Sequence, residues 1–164
     1  MTEPEMQIDV ELLLPFQITQ LHAALNAQAR AIISKHGDLT LPQWRIIRLV
    51  SSGVASTTTA VRKAAHIDKG QFSKTLNALV QKELVELTPL AQDKRQYSIS
   101  LTVEGRAAIV RLAPELDARH AHLLDALSTE ERAVIFSAIQ ALAEAAKRTE
   151  FPSEQSVEES VSNG

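Results

Sequence analysis

Along residues 68–82, side chains that hydrogen-bond and side chains that avoid water sort onto opposite faces of one helix. Phe72, Leu76, Leu79 and Val80 line the first face; Gly70, Gln71, Lys74, Asn77 and Gln81 occupy the second, with Ser73 at its edge. The amides of Gln and Asn pair bidentately with adenine in a DNA major groove, and Lys reaches guanine or phosphate. Gly70, near the helix start, lets another backbone approach closely. With Lys69, these residues are the candidate nucleic-acid contacts. A solvated polar face is the plainer reading of an arbitrary helix, so the case for binding rests on what surrounds this one.

A second cluster stands about twenty residues on, in QDKRQYSISL. Tyr97, Ile99 and Leu101 alternate with Ser98 and Ser100, the period of a half-buried strand. Asp93, Lys94, Arg95 and Gln96 form the loop tip that feeds it. An Arg on a protruding loop can enter a narrow minor groove, where the negative potential is enhanced. Asp93, two residues earlier, is expected to hold the guanidinium through a charge-assisted hydrogen bond.

The elements that must position these residues can be read in order. Pro15 suits a first helical turn, and Ile18, Leu21, Leu25, Ala29 and Ile32 recur at helical spacing until Gly37. Thr40 and Gln43 have capping-box spacing for a second helix, with Pro42 in its first turn and Trp44, Ile47 and Val50 facing inward. A short helix is predicted over 58–65. Asp68 and Gln71 repeat the capping-box spacing, and Ile67 and Phe72 sit at the two positions of a hydrophobic staple. LVELT then reads as a strand, PLAQDKRQ as a polar loop and YSISL as the returning strand. A long helix is predicted over 103–127, kinked at Pro114, and a last one opens at Ser128 with Glu131 three residues on. A short helix, a tight turn, a well-capped helix and a hairpin make a winged helix-turn-helix.

The net charge of −3 averages over unlike regions. Residues 1–11 and 150–164 carry four acids each and no Lys or Arg, while residues 12–149 hold 17 bases against 12 acids. Between Arg62 and Arg95 there are seven bases and four acids, a mild basic patch that suits nucleic acid. The chain has no cysteine, which excludes disulfides, thiolate zinc sites and thiol switches. With only 4% aromatic residues the core must be built from Leu, Ile, Val and Ala, which favours helices. The N-terminus lacks the basic region of a signal peptide, and no apolar run approaches the ~18 residues of a membrane span. A cytoplasmic protein with no membrane partner is expected.

Three blocks, LTLPQWRIIRLV, IDKGQFSKTLNALVQKELVE and DKRQYSISLTVEG, closely resemble the multiple antibiotic resistance regulator (MarR) family of bacterial transcription factors. The resemblance spans roughly residues 12–148 and includes a wing signature, Asp93–x–Arg95 followed by Leu101–Thr102–x–x–Gly105. It implies that the helix over 68–82 enters the major groove, that Arg95 reaches the minor groove, and that terminal helices from two chains interlock. Where such proteins often have glycine before and after the recognition helix, this chain has His66 and Glu83; where a base often follows the first wing strand's Val-Glu, it has Leu87.

The expected organisation is therefore mainly α with a small β-hairpin wing. Residues 37–102 form the winged helix-turn-helix, 12–36 and 103–148 dimerisation helices, 1–11 an acidic flexible N-terminus and 149–164 an acidic disordered tail. Long apolar stripes on the terminal helices call for a partner helix, with an intramolecular bundle as the alternative. Double-stranded DNA with a pseudo-palindromic operator is the expected partner, beside a second copy of the chain. The resemblance also implies a small-molecule effector, often an aromatic anion, for which His22 and Arg45 are the candidate contacts; His22 otherwise reads as a satisfied interface histidine. No cofactor is expected. No metal site is assigned either: His120 and His122 point to nearly opposite sides of a helix, and pairs such as Asp117 with His120 or His122 with Asp125 are ordinary helix contacts. No nucleophile elbow, metal-binding helix motif or phosphate loop supports an enzyme. A winged-helix protein-interaction module without DNA binding is the serious rival, and it would show large apolar anchors on the exposed face.

Overall fold

The computed structural model of the chain describes residues 9–151. A 3-10 turn at Val10–Leu12, capped by Asp9, lies in the stretch expected to be flexible. Helices α1 (Leu14–His36), α2 (Leu41–Ser51), α3 (Thr58–Ala65) and α4 (Lys69–Gln81) follow. Strands β1 (Val85–Pro89) and β2 (Tyr97–Leu101) precede α5 (Val103–Asp125) and α6 (Thr129–Ala145). The expected N-terminal segment and acidic tail fall largely in 1–8 and 152–164, outside the described residues.

Local chemistry places the helix starts where the spacing predicts. Thr40 with Gln43 and Ser128 with Glu131 form full reciprocal capping boxes, with Pro42 in the first turn of α2. Asp68 caps α4 through one bond, its Oδ1 accepting from the Gln71 N–H at 2.9 Å. Ile67 and Phe72, the staple pair, are both buried. Helix α5 continues past Pro114 and ends at Asp125, two residues short of the prediction. Two α5 carboxylates that stand at helical spacing from histidines bind arginines of other helices. Asp117 accepts from Arg48 at 3.0 Å and Asp125 from Arg132 at 2.8 Å. Exposed pairs of this kind contribute little to stability and serve as positional restraints.

The described residues fall into two compact units, dividing after Ala118. Every buried apolar residue lies in the first. There Ile33 of α1, Ile46 and Ile47 of α2, Val61 of α3, Leu79 of α4, Ile99 of β2 and Leu112 of α5 are fully buried. The strands pair antiparallel, Leu87 opposite Ile99, and the hairpin is tied to the segment before α3 by the Ile99 N–H donating to Ser56 O at 2.7 Å. The start of α1 is different: Leu14, Phe16, Ile18 and Leu21 all remain exposed. In the second unit α6 buries no residue, and Val134, Phe136, Ile139 and Leu142 are exposed.

One junction joins α4, the hairpin and α5. The Thr102 hydroxyl donates to Glu83 O at 2.6 Å and accepts from the Gly105 N–H at 3.0 Å, while the Thr102 N–H donates to Leu84 O at 3.2 Å. A Cβ at residue 105 would lie 2.0 Å from the Leu84 carbonyl oxygen. The Leu-Thr-x-x-Gly signature is thus a packing device: Thr102 caps, and Gly105 admits a neighbouring backbone. Gly105→Ala is expected to cost at least ~1–3 kcal/mol and to lower the melting temperature by roughly 5–10 °C. An unchanged thermal melt would show that the junction relaxes freely.

Candidate nucleic-acid interface

The turn between α3 and α4 sets the pose of α4, the candidate recognition helix. Thr57 caps α3, its hydroxyl accepting from the Ala60 N–H at 3.3 Å. At the other end His66 adopts φ 52°, ψ 45°. Its N–H donates to Lys63 O and that of Ile67 to Arg62 O, the two-bond closure that a left-handed residue permits. Glu83, just beyond α4, is also left-handed at φ 56°. The two places where the resemblance implies glycine therefore keep glycine's geometry while carrying side chains. Each does so against a cost of order 1–2 kcal/mol.

Lys69, Gly70, Gln71, Ser73, Lys74 and Asn77 are all exposed on α4. The Ser73 hydroxyl donates to Lys69 O at 3.0 Å, so it is partly committed to its own helix. The Lys69, Gln71, Lys74 and Asn77 side chains make no hydrogen bond or ion pair among the described residues, leaving their donors and acceptors for an external partner. A Cβ at Gly70 would meet only Asp68 Oδ1, at 3.4 Å. Folding therefore does not require glycine there, and the open helix start suits close approach by another molecule.

At the wing the geometry corrects one expectation. Asp93 does not hold the Arg95 guanidinium. Its Oδ1 accepts from the Arg95 backbone N–H at 3.0 Å and its Oδ2 from the Gln96 amide at 3.2 Å, while the Gln96 N–H donates to Asp93 O at 3.0 Å. An Asp side chain most readily reaches the backbone two residues on, and that local turn wins over the flexible guanidinium. The acid shapes the tip; Lys94 and the Arg95 guanidinium are exposed and unpartnered among the described residues.

Wing and recognition helix frame one concavity of about 410 Å³. Arg62 of α3, Lys69 of α4 and Arg95 of the wing line it, with Asn77, Thr58 and Tyr97, and no carboxylate does. Three cations around one open hollow favour an anion such as the phosphate backbone. Arg62, Thr58 and Tyr97 were not singled out as contacts in the sequence. Arg62 counts in the basic patch, but only the fold brings α3 beside the wing. Leu87, where a base was implied, lines the same hollow.

A separate cleft of about 470 Å³ opens among α1, α2 and α3. It contains both candidate effector residues, His22 and Arg45, with Arg48, His66 and the apolar Trp44 and Leu49. His22 and Arg45 are joined through Asn26, which the sequence reading did not assign and which lies one helical turn after His22. Arg45 Nη2 donates to Asn26 Oδ1 at 2.7 Å, and Asn26 Nδ2 lies 2.8 Å from His22 Nε2. Since the Asn26 oxygen serves Arg45, its amide nitrogen is the donor to the histidine. Among the described residues, no three His, Cys, Asp or Glu side chains converge as a metal site.

Comparison with known proteins bears on the same region. The MarR family model matches residues 37–96. An uncharacterised HTH-type transcriptional regulator of Staphylococcus aureus is 31% identical over 77 residues, 47% of this chain and 52% of that protein; the chain thus spans about half the length of the curated relatives it matches. Two solved folds superpose on most of the chain. The PcaV transcriptional regulator of Streptomyces coelicolor, in complex with its natural ligand, has a TM-score of 0.71 at 20% identity, over 89% of this chain and 99% of that one. MepR of S. aureus, in complex with DNA, has a TM-score of 0.74 at 20% identity, over 82% and 99%. The segment with the unpartnered face is the one the MarR family model matches, and the chain shares the fold of these two solved regulators.

Proposed function

We propose that the chain is a dimeric, sequence-specific DNA-binding transcriptional regulator of the cytoplasm, a repressor released by a small aromatic anion. The observation that carries this reading is the row of uncommitted Lys69, Gln71, Lys74 and Asn77 side chains beside a cationic hollow that includes Arg95. In this reading α4 lies in the major groove, with Gln71 and Asn77 reading bases and Lys74 on guanine or phosphate, while Arg95 enters the minor groove. MepR has been solved on DNA and PcaV with its natural ligand, which supports both halves of the proposal by likeness of fold. The family is one of transcription factors, and no enzymatic role is assigned.

The exposed apolar rows at the start of α1 and along α6 support a dimer, since a second copy is the natural cover for such faces. Two-fold symmetry then calls for a pseudo-palindromic operator with half-sites ~10 bp apart. In the α1–α2–α3 cleft, Arg45 and His22 would receive the carboxylate and Trp44 and Leu49 the ring, in line with the general build of ligand sites. Repression and ligand release follow from the family resemblance. The rival protein-interaction module is less well supported, because the α4 face offers amides and amines rather than large apolar anchors.

Substitutions separate these roles. Arg95→Ala and Lys74→Ala are expected to weaken DNA binding, and loss of a phosphate contact also lowers the salt slope by ~1. Gln71→Ala or Asn77→Ala should relax base preference, at ~1–3 kcal/mol for the base concerned. Asp93→Asn should keep near-normal affinity, since its carbonyl oxygen still accepts from the Arg95 N–H. Fluorescence anisotropy with labelled duplexes measures all of these. If Arg95, Lys74, Gln71 and Asn77 can each be truncated without effect, the proposed face is wrong. Sedimentation at micromolar concentration should give a dimer, and a monomer there would remove the two-fold operator from the proposal. A reporter whose expression falls on deleting the gene would contradict repression.

A further inference from the structure

The hollow between α3, α4 and the wing holds a nucleophile beside two phosphate-binding groups. Its volume of about 410 Å³ is within the range of small-ligand sites, and no carboxylate lines it. Asp68, the acid next to Lys69 in the chain, is committed elsewhere, its Oδ1 accepting from the Gln71 N–H at 2.9 Å as the cap of α4. The three cations of the hollow differ in chemistry. Arg62 and Arg95 carry guanidiniums, which stay charged and present forks of N–H donors that match a phosphate. Lys69 carries a primary amine, exposed and without a hydrogen bond or ion pair among the described residues. Leu76 and Leu87 give the same hollow an apolar part. Lys63, Lys74 and Lys94 are also exposed, but they do not line the hollow. Lys82 and Lys147 are paired with Asp38 and Glu144.

We infer that Lys69 is an acylation site for acyl phosphates, and that its acylation weakens the hold of this face on DNA. The phosphate end of such a molecule is drawn to Arg62 and Arg95, since a concavity lined by one sign of charge concentrates the counter-ion. Its acyl carbon is then held beside the Lys69 amine, and holding two reactants together raises the rate of their reaction. Once the ammonium has given a proton to water, Nζ attacks the acyl carbon. The C–N bond forms, the bond from the acyl carbon to the bridging oxygen breaks, and phosphate leaves with that electron pair. The surplus proton on nitrogen goes to phosphate or water, and nothing is oxidised or reduced. The resulting amide no longer carries the lysine's charge. One of the three cations around the hollow is thereby removed, and with it one contact to a DNA phosphate. This last step rests on the proposed reading of α4 and the wing as the DNA-binding face.

Acetyl phosphate serves as the probe, on the full chain, with acetylation followed at every lysine by mass spectrometry. Lys69 is expected to react ~10-fold faster than Lys63, Lys74 or Lys94, the lower end of what such focusing of charge supplies. The uncharged acetyl ester of N-hydroxysuccinimide has no phosphate to be held and should show no such preference. Arg62→Gln should bring Lys69 down to the rate of the other exposed lysines and leave theirs unchanged. Equal acetylation of all exposed lysines would overturn the inference, and so would a Lys69 preference that persists with the uncharged ester. The DNA step is read by anisotropy with Lys69→Gln, which removes the same charge, and Lys69→Arg, which keeps it. Lys69→Gln is expected to bind the fragment upstream of the protein's own gene ~10-fold less tightly at ~0.1 M salt, with a salt slope lower by ~1. Lys69→Arg should bind like wild type. Normal affinity in Lys69→Gln would overturn the effect of acylation on DNA binding. If the unmodified chain binds no duplex, the reading of the DNA-binding face fails and takes the DNA step with it; the acetylation result, measured without DNA, then decides the site alone.

Discussion

The winged domain depends on the two carbonyls that follow the recognition helix. Glu83 O and Leu84 O receive the hydroxyl and the N–H of Thr102, and the missing side chain of Gly105 lets α5 start against that backbone. Because Glu83 is left-handed, the chain turns sharply out of α4 and enters β1 almost at once. The end of the recognition helix, the base of the hairpin and the first turn of α5 are therefore one unit. Arg95 sits at the far end of that hairpin, so its position relative to α4 is inherited from this junction. The concavity with Arg62, Lys69 and Arg95 on its walls follows from it.

How much of this was legible in the sequence depends on the range of the interaction. Caps and strands are local, and Thr40–Gln43, Ser128–Glu131 and the YSISL alternation fold as their spacing predicts. Asp93 shows where local pattern is not enough. Residue types and spacing place an acid beside an arginine, but they do not say whether the carboxylate takes the guanidinium or the nearer backbone N–H. Asp117 and Asp125 tell the same story, since each had a histidine at helical spacing and each binds an arginine from another element. Arg62 and Asn26 became visible only through tertiary structure. Arg62 lines a hollow with Lys69 and Arg95, and Asn26 accepts from Arg45 of another helix, neighbours that no periodicity encodes.

Charge and apolar surface divide the labour along the chain. A net charge of −3 conceals a basic middle, with 17 bases against 12 acids over residues 12–149. The cations around the hollow are few, and Leu87 stands where a further one was implied. In the proposed function nonspecific attraction is accordingly modest, and discrimination falls to the amides of α4 and to wing geometry. The apolar rows of α1 and α6 contribute nothing to the core of the first unit, whose buried residues begin at Ala29. In the proposed dimer they are the surface for association, so that two half-sites are read together.

The most direct test of the central claim is DNA affinity against salt concentration, using the fragment upstream of the protein's own gene beside a scrambled control. Sequence-specific recognition through α4 and the wing predicts a linear fall of log affinity with log salt and a preference for the native fragment of at least ~10³-fold. No binding to either fragment, even at low salt, would contradict it and turn attention to the winged helix as a protein-binding surface.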